Sequence, residues 1–280
     1  MIRIVNCLDV SSNQIHQAFM NCSTDYQIKI EITVEAFIKK YFGPEGNQLE
    51  HSYIAIDDGT PVGLCIAGII YDKGIKTMRC GVIALAPDYR GTNIASDLMA
   101  IHFDQGKKEN CTQFSLEVLA NNARAISFYK KHGYDKAYDL IYKKIDREQI
   151  NRHTFNDNLV IKEIELDACD EIRKNDNTLV IWRNTFEFFN KIKTKNYGAY
   201  LDSKLAGVVV AGHRKIHYIF VSPEHRSKGV AVALLKKALA DDMIENPIFS
   251  YINNEELDEF SKHIGMYKTE NNHIVMLKRI

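Results

Sequence analysis

An internal repeat constrains this chain more than any other feature. The segment Ala55-Ile56-Asp57-Asp58-Gly59-Thr60-Pro61-Val62-Gly63 lines up with Ala199-Tyr200-Leu201-Asp202-Ser203-Lys204-Leu205-Ala206-Gly207. Pro87-Asp88-Tyr89-Arg90-Gly91-Thr92-Asn93-Ile94-Ala95 lines up with Pro223-Glu224-His225-Arg226-Ser227-Lys228-Gly229-Val230-Ala231, and Asn122 and Gly133 line up with Asn254 and Gly265. Three matches in one order, at nearly constant offset, describe two copies of one unit. The length of 280 residues agrees, since a domain averages roughly 150. The polar stretch 146–158 lies between the copies, which gives a first domain over residues 1–146 and a second over 156–280.

The first copy reads as a strand at Ile2–Val5, then a helix from Ser11-Ser12 with Ile15, Phe19 and Met20 on one face. A second helix runs from Thr33 to Tyr41 and stops at Gly43-Pro44-Glu45-Gly46-Asn47. Extended runs follow at residues 51–56, 61–71 and 78–86, with turns at Asp57-Asp58-Gly59-Thr60 and Asp72-Lys73-Gly74. A helix from Ile94 to Lys108, a strand from Gln113 to Val118, a helix from Ala123 to His132 and strands between Tyr134 and Ile145 complete it. Strands alternating with helices predict an α/β fold, a mixed sheet flanked by helices, in each copy.

The repeated loop suggests a chemistry. A strand ends at Pro87, the chain turns through Arg90-Gly91-Thr92-Asn93, and an amphipathic helix starts at Ile94. Backbone N–H groups at a helix start are unpaired and carry partial positive charge, so they suit a phosphate. Arg90 adds a cation with bidentate geometry. Gly91 and Asn93 tolerate left-handed backbone angles, as a nest-like anion loop requires; in the second copy Gly229 stands where the first has Asn93. The same residues also describe a surface turn with a helix cap. Neither loop is a Walker A or G-x-G-x-x-G fingerprint, which argues against a mononucleotide or Rossmann site.

Both loops resemble the R/Q-x-x-G-x-G/A motif of the GNAT superfamily of N-acetyltransferases. Leu116-Glu117-Val118, then Asn122-Ala123-Arg124-Ala125-Ile126-Ser127-Phe128-Tyr129-Lys130-Lys131-His132-Gly133-Tyr134, is similar to that family's N-x-x-A-x-x-x-Y-x-x-x-G-F/Y motif. The resemblance spans most of residues 1–145 and extends more weakly over 156–280. It implies tandem domains, each with a mixed, mainly antiparallel sheet, and an acetyl-CoA site. The pyrophosphate would lie on Arg90, Gly91, Thr92, Asn93, Ile94, Ala95 and Ser96, and pantetheine along Val82 to Leu85. Arg226, Gly229 and Ala231 would serve the second copy.

Acyl transfer to an amine needs a neutral amine, a polarised carbonyl and a proton for the departing thiolate. A backbone N–H at Ala84 or Leu85, freed by a strand bulge, would hold the thioester oxygen. Tyr129 would be the general acid. Glu117 lies twelve residues before it, the spacing of base and acid in the ribosomal-protein alanine acetyltransferases to which this block is similar. Asn122 would bond pantetheine or fix the bulge region. Tyr129 also reads as a core aromatic, and Glu117 as a solvated strand carboxylate. In the second copy Gly265 places Ser261 where the first has Tyr129, and Leu257 stands for Ala125. The first domain is therefore expected to catalyse, and the second to bind CoA without turnover or to shape the substrate cleft.

Composition narrows the rest. Lys plus Arg equals Asp plus Glu at 36 each, so no net charge recruits nucleic acid. No signal-peptide core and no membrane-length apolar run is present, and the six cysteines form no CxxC pair, so a cytoplasmic location is expected. No histidine stands at a motif position to activate Cys80, which favours direct attack in a ternary complex over an acyl-enzyme. The ten histidines show no HxxxH spacing and no metal is expected. The acceptor is left as a small-molecule or peptide amine, with Gly43–Glu50 and Trp182–Phe189 as the segments to contact it. Trp182, Phe186, Phe188 and Phe189 read first as core packing. The oligomeric state is left open. The alternative function is a non-catalytic CoA-binding regulatory or interaction module.

Overall fold

The computed structural model describes residues 1–25, 29–72, 74–173, 181–212, 215–240, 247–270 and 272–280. In chain order the first elements are β1 (Ile2–Asn6), α1 (Ser12–Cys22), α2 (Val34–Tyr41), β2 (Tyr53–Asp57), β3 (Thr60–Asp72) and β4 (Ile75–Leu85). Then come α3 (Ile94–Lys108), β5 (Gln113–Leu119), α4 (Ala123–Lys131) and β6 (Asp135–Lys144). After these follow α5 (Arg147–Arg152), β7 (Val160–Glu163), α6 (Leu166–Arg173), α7 (Phe186–Phe189), β8 (Lys195–Leu201), β9 (Lys204–Gly212) and β10 (Lys215–Val221). The last are α8 (Val230–Ala240), β11 (Ile248–Ile252), α9 (Glu255–His263), β12 (Tyr267–Lys268) and β13 (His273–Arg279).

The chain forms two compact units, residues 1–137 with 274–280, and residues 138–273. The division expected at 146–158 falls inside the second of these. The reason is strand pairing: β6 from Leu140 to Lys144 is in register with β11, Leu140 opposite Ile252 and Lys144 opposite Ile248. The last strand, β13, lies beside β5 in the first sheet. The sheet of the first unit runs β1-β2-β3-β4-β5-β13, and that of the second β6-β11-β10-β9-β8-β7. Pairs β1/β2, β2/β3 and β3/β4 are antiparallel and β4/β5 is parallel. The second unit repeats this, with β7/β8, β8/β9 and β9/β10 antiparallel and β10/β11 parallel.

Local sequence accounts for the elements. The Ser11 side chain caps α1 and Gln14 reaches back to the cap, a reciprocal capping box. Thr33 caps α2, and Lys39 and Lys40 complement its C-terminal carbonyls. The turn between β2 and β3 holds Asp58 and Gly59 at φ of 44° and 86°, and the corresponding β8/β9 turn holds Asp202 and Ser203 at 49° and 64°. Two left-handed residues match the twist of a tight hairpin. Central β3 is buried without a break from Pro61 to Gly68, because helices cover both of its faces. Ile15, Phe19 and Phe37 of α1 and α2 pack on one face with Ile54, Leu64 and Ile66. Leu98 and Met99 of α3 and Tyr129 of α4 pack on the other with Cys65, Met78 and Leu116. Trp182, Phe186 and Phe189 are buried and Phe188 is half-buried, so that aromatic cluster is core.

Candidate active site

In both units the paired parallel strands separate partway along. The β4/β5 register ends at Cys80 opposite Leu116, yet β4 continues to Leu85 and β5 to Leu119. The β10/β11 register ends at Ile216 opposite Phe249, with the strands continuing to Val221 and Ile252. The cause is a bulge on the opposite edge of β4 and of β10. Ala67 pairs Cys80 and Ile66 pairs Val82, which skips Gly81; Ala211 pairs Ile216 and Val210 pairs Tyr218, which skips His217. An extra residue bends the strand away from its neighbour and opens a V-shaped gap.

The bulge therefore sits at Gly81, not beside Ala84 and Leu85 as the sequence suggested. A Cβ at Gly81 would lie 2.2 Å from Asn47 Oδ1 and 3.0 Å from Arg79 Nη1, so any side chain there must displace the Asn47 amide. Asn47 is held from two sides, its Nδ2 donating to the Tyr41 carbonyl at 2.7 Å and its Oδ1 accepting from Arg79 Nη2 at 2.8 Å. Arg79 also donates to the Glu45 carbonyl at 2.5 Å. The loop after α2 is thereby fastened over the bulge. Sequence reasoning missed this clamp; a charged residue inside an apolar strand run was its one signal.

Strand alternation separates the two proposed oxyanion donors. The Ala86 N–H bonds the Val62 carbonyl at 2.8 Å, so the N–H of Ala84 also turns toward β3. Leu85 turns its N–H and carbonyl into the gap, and its carbonyl accepts from Arg90 Nε at 3.2 Å. Of the expected pair, Leu85 presents the donor and Ala84 does not. The second unit repeats the arrangement, with Ser222 N–H on the Ala206 carbonyl at 2.9 Å and Arg226 Nε on the Val221 carbonyl at 3.2 Å.

The anion loops differ. Gly91 is left-handed at φ +84° and a Cβ there would meet nothing within 4 Å. Asn93 is right-handed, φ −77° and ψ −10°, and makes no side-chain cap, so the left-handed angle expected there is absent and its Cβ is not strained. The first intrahelical bond of α3 runs from Asp97 N–H to the Asn93 carbonyl. The N–H groups of Ile94, Ala95 and Ser96 therefore lie at the free end of the helix. This open, uncapped helix start fits a pyrophosphate. In the second unit Ser227 and Gly229 are both left-handed, at 58° and 76°, and the backbone of Thr154–Phe155 lies over Gly229. Arg90 is held by Asp25, and Arg226 by Glu256 at 2.7 and 2.8 Å.

Tyr129 is buried in the same cluster as Leu85 and Val118, with its ring 6.0 Å from Tyr134. Glu117 is half-buried between Leu116 and Val118 in β5, so it faces the opposite side of the sheet, the side of α1 and α2. The two sequence-derived groups thus stand on opposite faces of the sheet at the gap. Asn122 is the N-cap of α4, its Oδ1 accepting from the Ala125 N–H at 3.1 Å; Asn254 does the same for Leu257 at 3.0 Å. Their matched positions reflect helix capping.

At the matching positions the second unit has neither group. The residue after the last paired position of β5 is Glu117; in β11 it is Ser250. On α9, Ser261 takes the place of Tyr129 and joins a buried network. Lys143 Nζ donates to Ser261 Oγ and, at 2.7 Å, to Asp258 Oδ1, which also accepts from the Tyr251 hydroxyl at 2.9 Å. The Lys143 ammonium beside Asp258 holds its carboxyl well below the usual range. Burial pushes the Cys7, Cys22 and Cys169 thiols up to about 12, which leaves them un-ionised at neutral pH. Among the described residues no group of three His, Cys, Asp or Glu is placed to hold a metal, and no helix is long and apolar enough to cross a membrane.

The Acetyltransferase (GNAT) family matches residues 13–134, and a second Acetyltransferase (GNAT) domain matches residues 179–273. The chain belongs to the GNAT acetyltransferase superfamily, with two tandem GNAT domains. It is similar to N-alpha-acetyltransferase 30 of Saccharomyces cerevisiae, 28% identical over 104 residues that cover 35% of this chain and 58% of that protein. The match thus spans little more than half of that relative. Two solved structures share the fold along the whole chain. A GCN5-related N-acetyltransferase from Sphaerobacter thermophilus has a TM-score of 0.69 at 13% identity, with 95% of it covered. A tandem GNAT protein from the clavulanic acid biosynthesis pathway has the same score and identity, with 98% covered.

Proposed function

We propose that the protein transfers the acetyl group of acetyl-CoA to a primary amine, by direct attack in a ternary complex, in its first unit. The observation that carries this is the gap at Gly81, which opens along the β4 and β5 segments that carry Leu85 and Glu117, with Tyr129 in the core cluster of Leu85 and Val118. Acetyl-CoA supplies a thioester, and the amine forms its C–N bond as the C–S bond breaks. Arg90 and the N–H groups from Gly91 to Ser96 hold the pyrophosphate. The Leu85 N–H stabilises charge on the carbonyl oxygen. Glu117 takes the proton that the amine nitrogen sheds, and Tyr129 gives its own to the departing sulfur, so the balance is amide plus thiol. The likeness to a protein named as an N-alpha-acetyltransferase favours a peptide α-amine as acceptor.

The second unit is better read as a non-catalytic CoA-binding module. Ser250 and Ser261 stand where a base and an acid are needed, while Arg226, Gly229 and Ala231 line a cavity that Ser250 also borders. The test is thiol release from acetyl-CoA by the full chain on a panel of peptides and small amines. Tyr129→Phe is expected to lower kcat about 100-fold with little change in KM. Unchanged turnover overturns the assignment of Tyr129 and of the first unit.

A further inference from the structure

The second unit contains a cavity of about 700 Å³ that starts at the Arg226–Gly229 loop and continues through the gap between β10 and β11. Phe249 and Tyr251 pack with α8, so Ser250 between them faces the other side of the sheet. From Val221 back to His217 is four residues, roughly 13 Å of extended chain. That separates the phosphate loop at one end from the bulge at the other.

At the bulge end the wall changes character. Asn184 Nδ2 donates to the Ser250 carbonyl at 2.9 Å, taking the place of the strand partner that the diverging β10 withdraws. A carbonyl only accepts, so the orientation of the Asn184 amide is fixed and Oδ1 is left over. Among the described residues neither Asn184 Oδ1 nor Ser250 Oγ has a hydrogen-bond partner. Both residues line the cavity and are buried, at 5% and 0% exposure. A buried polar atom left unpaired costs about 1–3 kcal/mol, and here two such residues line one cavity, together with Ile181, His217 and Tyr218.

We infer that Asn184 and Ser250 form a subsite for a neutral polar substituent, a hydroxyl or primary amide, on the acyl chain of a CoA thioester held in the second unit. Such a group donates to Asn184 Oδ1 and exchanges a hydrogen bond with the Ser250 hydroxyl. A carboxylate would face the Asn184 oxygen unfavourably. Arg226 is the one lysine or arginine lining the cavity among the described residues, and Glu256 already holds it. Ser250 occupies the position of Glu117, so the site holds its ligand without deprotonating an amine there. The inference rests on the reading that the second unit binds CoA.

Trp182, the single tryptophan of the chain, lies two residues from Asn184 and reports on this end of the cavity. The full chain is titrated with CoA, butyryl-CoA and 3-hydroxybutyryl-CoA, followed by Trp182 emission and by calorimetry. The hydroxylated thioester is expected to bind about tenfold more tightly than butyryl-CoA. Ser250→Ala should remove that advantage while leaving butyryl-CoA affinity unchanged, and the nearly isosteric Ser250→Cys should do the same. Equal affinities in the unaltered chain, or an advantage that survives both substitutions, overturns the subsite alone. If CoA itself produces no change in Trp182 emission, the reading of the second unit falls and the subsite with it.

Discussion

Asp25 grips the guanidinium of Arg90 through both carboxylate oxygens, at 2.5 and 2.8 Å from Nη1 and Nη2. The same hydrogen bonds hold the Asp25 carboxyl below its ordinary pKa. A phosphate approaching the loop meets a cation whose two best donors are already engaged. Asp25→Asn is therefore expected to tighten acetyl-CoA binding about threefold to tenfold at low ionic strength, with the gain shrinking as salt is added. Calorimetric titration at two salt concentrations measures it. Weaker binding would show that Asp25 orders the loop instead of competing with the ligand.

Gly81 is the residue on which the opening of the gap depends. Gly81→Ala drives a methyl group into Asn47 Oδ1 and Arg79 Nη1, and the loop after α2 must lift. A loss of about 1–3 kcal/mol is expected in denaturant unfolding, together with loss of acetyl transfer out of proportion to the loss of folded protein. Full activity in the folded fraction would show that the clamp is dispensable.

His102 in α3 is 1% exposed between Phe103 and Phe114, and burial pushes its pKa down to about 3. The folded state keeps it neutral, while the unfolded chain binds a proton near pH 6.5. Stability from this residue is thus complete above pH 6.5 and is lost as pH falls toward 3, by about 1.4 kcal/mol per unit. Unfolding free energies between pH 7 and 4.5 should fall steeply, and less so for His102→Leu.

Lys143 is 2% exposed, and its ammonium depends on Asp258 at 2.7 Å. Asp258→Asn leaves that charge buried without its counter-charge, at a cost of about 3–5 kcal/mol. Lys143→Met combined with Asp258→Asn should recover much of the loss. An Asp258→Asn protein as stable as the parent would mean that water reaches the ammonium.

The sequence made the repeat, the two anion loops and most elements readable because each has a local cause. The helix from Ile94 to Lys108 is bounded by an apolar period and flanking turns, whereas the capping role of Asn122 shows only in the structure. What stayed hidden depends on partners far along the chain. Nothing in Cys80-Gly81-Val82 tells which residue bulges; Asn47, from another loop, lies where a side chain at position 81 would stand. The sense of the Ala84 and Leu85 N–H groups depends on the β3 register in the same way. Ser250 reads as an ordinary strand serine until β10 turns away from it. Asn93 is a residue type that tolerates the left-handed angle of an anion nest, yet the backbone at that point takes a helical turn.

Ile274 and Met276 of β13 belong to the core that surrounds Tyr129 and Leu85. A fragment cut in the polar stretch would leave that core short of a strand, so halves produced separately are poor substitutes for the intact chain. During synthesis the proposed catalytic half emerges before the second unit, yet its sheet closes only when β13 has followed that unit. Until then its apolar interior has a free edge, which makes the nascent first half the stage at which this protein most needs shelter from aggregation.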